Sequence, residues 1–178
     1  MLEYFSLLNR IEWTVLFITF FISSRFPNVR WLIGTVIVLK TIDVLTIEII
    51  LQWGGFYYIA ISLLDFFVIL SILFRQKSAG YIASIGVPWL SQLAHGSAQY
   101  YKLTSNEISL VILYFISIGI NLASFFERLV RKYSEFEPMF IYNSYPTAKF
   151  VLTALSVLVF CSLAINSANN IYQNRKAH

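Results

Sequence analysis

The chain has 178 residues, of which 58% are hydrophobic and only 12% charged. A soluble domain of average usage carries about 25% charged and about 45–50% apolar residues, and a water-soluble globule of this size cannot cover so much apolar surface. The net charge of +4 does not mark a nucleic-acid binder. The cations sit in short connections between apolar runs, where basic residues set membrane orientation.

These numbers point to one all-α transmembrane bundle over residues 1–178, with no stretch left for a soluble domain. A bilayer core of about 30 Å takes roughly 20 mostly apolar residues as helix. Its lack of water forces every backbone group into internal hydrogen bonds. On that basis the chain divides into about six spans.

The first, near 6–24, is strictly apolar only from Trp13 to Ser24. It crosses if it starts near Ser6 and carries Arg10 and Glu12 close to the membrane surface. Glu3 and Glu12 flank this run where a signal peptide has basic residues, and no small-x-small cleavage site follows. The second, 31–51, is long enough but contains Lys40, Asp43 and Glu48. The third, 56–74, holds one charge, Asp65. The fourth, 81–101, has no fixed charge but is interrupted by Gly86, Pro88, Gln92, His95 and Gln99. The fifth, 107–126, and the sixth, 150–168, are charge-free from Ile108 and from Phe150 onward. If the first run lies at the interface instead, five spans remain.

Ser24 to Asn28 and Gln52 to Gly55 read as tight turns, Arg75 to Ser78 as a polar connection, and 127–149 as the only sizeable loop. Counting Lys and Arg sets the orientation. Arg25, Arg30, Arg75, Lys77, Arg128, Arg131, Lys132 and Lys149 fall on one side and Arg10, Lys102, Arg175 and Lys176 on the other. The richer side, with the 127–149 loop, is expected in the cytoplasm of a cell (plasma or inner) membrane.

Charges within a bilayer cost roughly 2.5–3.5 kcal/mol each at the centre on insertion scales, so the intramembrane polar residues carry the information. Lys40 and Asp43 are three apart on one helix face, and Asp65 lies near the middle of the next helix. An ammonium at that depth needs a partner, and Lys40 is expected near Asp43 or Asp65. Such a group is either a neutralised packing pair or a proton or cation relay. Pro88, Gln92, His95 and Gln99 form a polar stripe at helical spacing. Tyr114, Ser117, Asn121, Ser124 and Arg128 form another, and the two are expected to face each other or a wet cavity. Glu48 and His95 fall at similar depth and are within reach of pairing.

The 127–149 loop mixes Arg128, Arg131 and Lys132 with Tyr133, Phe136, Phe140, Tyr142 and Tyr145. Its cations attract anionic membrane lipid. Cations with aromatics also make the interface cores that hold a protein partner. Gly80-x-x-x-Ser84 and Gly119-x-x-x-Ala123 allow close helix packing, including that of a homo-oligomer.

Cys161 is the only cysteine and cannot form an internal disulfide. No metal-ligand spacing, phosphate-binding glycine loop or hydrolase motif stands out, and no cofactor is expected. Ser91 and His95, four apart on one helix, make no nucleophile–base pair. The sequence therefore points away from an enzyme. It leaves a membrane subunit (sensor, anchor or scaffold) acting through the 127–149 loop as the first reading. A small ion or proton channel, transporter or pore-forming effector is the alternative.

Overall fold

The structure, a computed structural model, describes residues 2–84, 88–99, 103–134 and 138–176. The described residues form seven α-helices and two short 3-10 turns, with no strand. Helix α1 spans Leu2–Ile22, α2 Pro27–Leu51, α3 Tyr57–Leu73, α4 Arg75–Ala83, α5 Pro88–Gln99, α6 Ser105–Tyr133 and α7 Phe140–Lys176. Four stretches are long and apolar enough to cross a membrane by length and composition: Ser6–Arg25, Gly54–Leu73, Ser105–Tyr133 and Phe140–Asn169. Their outward faces match that composition. Phe21, Phe115 and Leu158, on α1, α6 and α7, are each more than three-fifths exposed.

Local sequence explains the boundaries. After the Ser23–Arg25 turn, Pro27 takes the first position of α2, where its missing N–H costs nothing. After α2, Gly54 adopts a positive φ of 62° to reverse the chain. Thr104 and Glu107 form a reciprocal capping box at the start of α6. The start of α7 is capped from a distance. Both carboxylate oxygens of Glu127, on α6, accept backbone N–H groups, from Ile141 at 2.7 Å and from Tyr142 at 3.0 Å.

Pairwise contacts fix the helix directions. Helix α3 runs antiparallel to α6, with Phe56 against Phe125 at one end and Arg75, just beyond α3, bonded to Glu107 at the other. Helix α7 runs antiparallel to α6, with Tyr145 on Asn121 and Ser162 on Asn106. Ser23 donates to Ser167 at 3.2 Å, so α1 lies parallel to α7. The turn after α1, the α4–α5 pair and the start of α6 therefore share one end of the bundle, here end A. The turn after α2 and the α6–α7 junction share the opposite end B.

Three expectations are corrected. Residues 81–101 do not form one long helix: α4 and α5 have nine and twelve residues and pack on each other. At 1.5 Å per residue they are about 14 and 18 Å long, short of the ~30 Å of a bilayer core. Pro88 explains the break, since proline cannot donate within a helix and disfavours helix before it. The 127–149 segment is not a loop either, because α6 runs to Tyr133 and α7 starts at Phe140. Finally, with no crossing at 81–101, Arg25, Arg30, Arg75 and Lys77 sit at end A while Arg128, Arg131 and Lys132 sit at end B. The expected grouping on one side does not occur.

The dry core lies toward end A. Leu16, Leu32, Ile33, Val36, Val68, Ile72, Leu110, Phe160 and Leu163 pack there as one cluster from α1, α2, α3, α6 and α7.

Candidate functional site

Halfway along the bundle the same five helices line a partly open cavity of about 170 Å³. Its charged lining consists of Glu12 from α1, Lys40 and Asp43 from α2, Asp65 from α3 and Lys149 from α7. Tyr114, Ser117, Thr153 and Ser156 add hydroxyls. Aliphatic side chains such as Val36, Val68 and Leu152 complete the wall.

The cations are paired. Lys40 Nζ donates to Glu12 Oε2, joining α1 to α2. Lys149 Nζ lies 3.8 Å from Asp65 Oδ2 and donates to Ser117 Oγ at 2.6 Å. Ser117 in turn donates to Asp65 Oδ2 at 2.6 Å, and Asn121 Nδ2 donates to the same oxygen at 3.2 Å. Tyr145 donates from its hydroxyl to Asn121 Oδ1 at 2.9 Å, and its ring meets Tyr58 edge-on. The network thus runs from the cavity toward end B, on the side away from the dry core.

Asp43 is different. Its Oδ1 is buried with no hydrogen-bond partner among the described residues. Three carboxylates face two ammonium groups, so the fully ionised lining carries one excess negative charge. In a low-dielectric interior an uncompensated charge is costly, and one proton or one small cation restores neutrality. Among the described residues no three His, Cys, Asp or Glu side chains converge in a metal-binding cluster. The charged groups that line the cavity are carboxylates and lysines.

The expected residues are distributed as follows. Asp43, Asp65 and Lys40 meet at the cavity, but Lys40 takes Glu12 as its partner instead of either aspartate. Asn121 is fully buried and bonds Asp65. Gln92, His95 and Pro88 are exposed on α5 at end A, so that stripe does not face the one on α6. The side chain of Gln99 lies outside the described residues. Glu48 is exposed near the end of α2, and no bond joins it to His95 among the described residues. Arg128 is exposed, with its guanidinium end against Gly54 and Gly55. Arg131 stacks over the Tyr142 ring at 4.9 Å and donates to Met139 Sδ. Lys132 is exposed, and Phe136 lies outside the described residues.

Two cavity residues were not singled out by sequence. Glu12 was expected near the membrane surface, yet is buried at mid-bundle beside Lys40. Lys149 was counted as a loop cation. Its spacing from Tyr145, four residues on one helix face, is the signal that places it inside. A third ion pair, Arg75 with Glu107, is buried and ties α4 to α6 at end A.

Compared with known proteins, the chain matches no protein family, no curated protein and no solved structure.

Proposed function

We propose that this chain is a multi-pass membrane protein that binds and passes a proton or small monovalent cation at the Asp43–Asp65 cavity. The observation that carries the reading is the excess carboxylate: Asp43 Oδ1 is buried without a hydrogen bond in a cavity whose two lysines each form an ion pair with another carboxylate. Intramembrane ionisable groups that line a cavity are the usual marks of ion and proton paths. The placement of the site adds support. Toward end A it is closed by the nine-residue apolar cluster, while toward end B it continues through Asn121, Tyr145 and Tyr58.

Five crossings suit this reading, by α1, α2, α3, α6 and α7. Helix α2, with Lys40, Asp43 and Glu48 along its length, is not among the four most apolar stretches, but it turns Val38, Ile42, Leu45 and Ile49 outward at spacings of four, three and four. That is a lipid-facing stripe, and Lys40 points inward to Glu12. The basic residues of end A, Arg25, Arg30, Arg75 and Lys77 with Arg175 and Lys176 at the end of α7, outnumber Arg10, Arg128, Arg131 and Lys132 toward end B. End A is therefore the cytoplasmic side by the positive-inside rule.

Reconstitution into liposomes tests the function. A pH or cation gradient should drive ion flux reported by an entrapped dye, and Asp43→Asn and Asp65→Asn should abolish it. Wild-type vesicles no leakier than empty ones, for protons, sodium and potassium alike, would overturn the reading.

A scaffold role is the second reading, favoured by one observation. Tyr133, Phe140 and Tyr142 are exposed around the α6–α7 junction beside Arg131. Aromatic anchors of this kind hold partner proteins. Loss of a co-purifying protein from Phe140→Ala and Tyr142→Ala, in a chain without ion flux, would favour it.

A further inference from the structure

Arg30 lies in the first turn of α2, at end A. Its guanidinium carbon sits 4.8 Å from the centre of the Phe20 ring and 5.6 Å from that of Trp89. Beyond these rings it has no partner: no hydrogen bond or ion pair reaches it among the described residues, and its Nε is buried unsatisfied. Arg131 at end B also lies over a ring, that of Tyr142, but it donates to Met139 Sδ, and the other sheltered cations are paired. Lys40, Arg75 and Lys149 each meet a carboxylate. The one acidic side chain described at end A, Glu107, is already engaged by Arg75 and by the Thr104 backbone.

Two glycines build this seat. A Cβ on Gly34 would come within 3.3 Å of the Phe20 ring, so its absence lets that ring lie against α2. A Cβ on Gly96 would come within 2.9 Å of the Pro27 ring, so its absence lets α5 close onto the start of α2. Trp89 precedes Gly96 by seven residues, about two turns, and shares its helix face. The guanidinium is thus held against two ring faces, which leaves its terminal N–H groups available.

The surroundings say what fills that edge. Trp89, Tyr81 and Phe74 are at least half exposed around the α4–α5 hairpin, and Lys77 lies over the Phe74 ring. Exposed Trp and Tyr with Lys and Arg mark the depth of lipid headgroups. Arg25 is exposed at the same end. A planar guanidinium presents paired N–H donors that match two phosphate oxygens. We propose that Arg30, stacked on Phe20 and Trp89, binds the phosphate of an anionic phospholipid in the leaflet at end A. The proposal rests on the chain lying in a bilayer, and it holds whether or not the cavity passes ions.

Tryptophan quenching tests it on the full-length protein. Wild type is placed in nanodiscs of phosphatidylcholine carrying a minor share of brominated lipid, either phosphatidylglycerol or phosphatidylcholine. The brominated phosphatidylglycerol should quench preferentially, by a factor on the order of five. Trp89→Phe should remove that preference, which assigns it to this tryptophan. Arg30→Gln should remove it too, Arg30→Lys should retain part of it, and Arg25→Gln, which takes away the same charge at the same end, should leave it intact. Equal quenching by the two lipids in wild type would overturn the proposal, as would equal losses in Arg25→Gln and Arg30→Gln. If inorganic phosphate displaces the lipid signal, the site belongs to a soluble anion, and the lipid assignment fails.

Discussion

Lys40 of α2 reaches across to Glu12 of α1 and holds it at the level of the cavity. Glu12 is only 4% exposed, so Lys40 is what compensates its buried charge. Lys40→Met should therefore cost about 3–5 kcal/mol, because it strands a buried carboxylate. Combining it with Glu12→Leu should recover most of that loss. Thermal unfolding in detergent measures both, and a double variant no better than the single one would show that the pair is not the cause.

Asp43 and Asp65 should separate stability from function. Asp65 accepts from Ser117 and Asn121 and faces Lys149, so Asp65→Asn should lower stability by about 1–3 kcal/mol. Asp43 Oδ1 has no hydrogen bond to lose, and Asp43→Asn should leave the melting midpoint unchanged or raise it while abolishing ion flux. A strong destabilisation by Asp43→Asn would place an unseen partner beside it.

Positions 77 and 131 lie at opposite ends of the bundle. Single cysteines there, in a Cys161→Ala background, should react with a membrane-impermeant maleimide from opposite faces of sealed vesicles. Labelling of both from the same face would return 81–101 to the membrane as a full span.

Gly96 and Pro27 are in such close approach that one methyl group does not fit. Gly96→Ala should push α5 from α2 and cost about 1–3 kcal/mol. Gly119→Ala, with open space at its Cβ, is the matched control and should be neutral or slightly stabilising.

Much of the architecture was legible in the residues. The apolar runs at 56–74, 107–126 and 150–168 are long enough that only a helix satisfies their backbone, and α3, α6 and α7 cover them. Asn121 and Ser117 were marked by their spacing on one face, and that face is buried. What failed was depth and pairing. Glu12 and Lys149 each stand near the edge of an apolar run, where a charge reads as a surface residue. Their burial depends on α1 and α7 packing side by side, a contact across some 140 residues that no local pattern encodes. Pro88 and Gly86 were visible as interruptions, but whether a helix bends or ends at a proline depends on what packs around it. Here α4 and α5 pack on each other, so no single long helix stands behind the span expected at 81–101.

Glu127 fixes the first turn of α7, and Lys149 follows Phe140 by nine residues, about two and a half turns. The cap therefore sets the rotational phase of everything downstream. Advance or retard the start of α7 by a single residue and Lys149 swings by about 100° around the helix, off the wall it shares with Asp65. Pro146 sits between cap and lysine and removes one backbone hydrogen bond from that stretch, so the phase is carried by few bonds. The stretch from Glu127 to Lys149 thus behaves like an escapement. Its length is a specification, and an inserted or deleted residue there would reset the charge of a cavity many ångströms away.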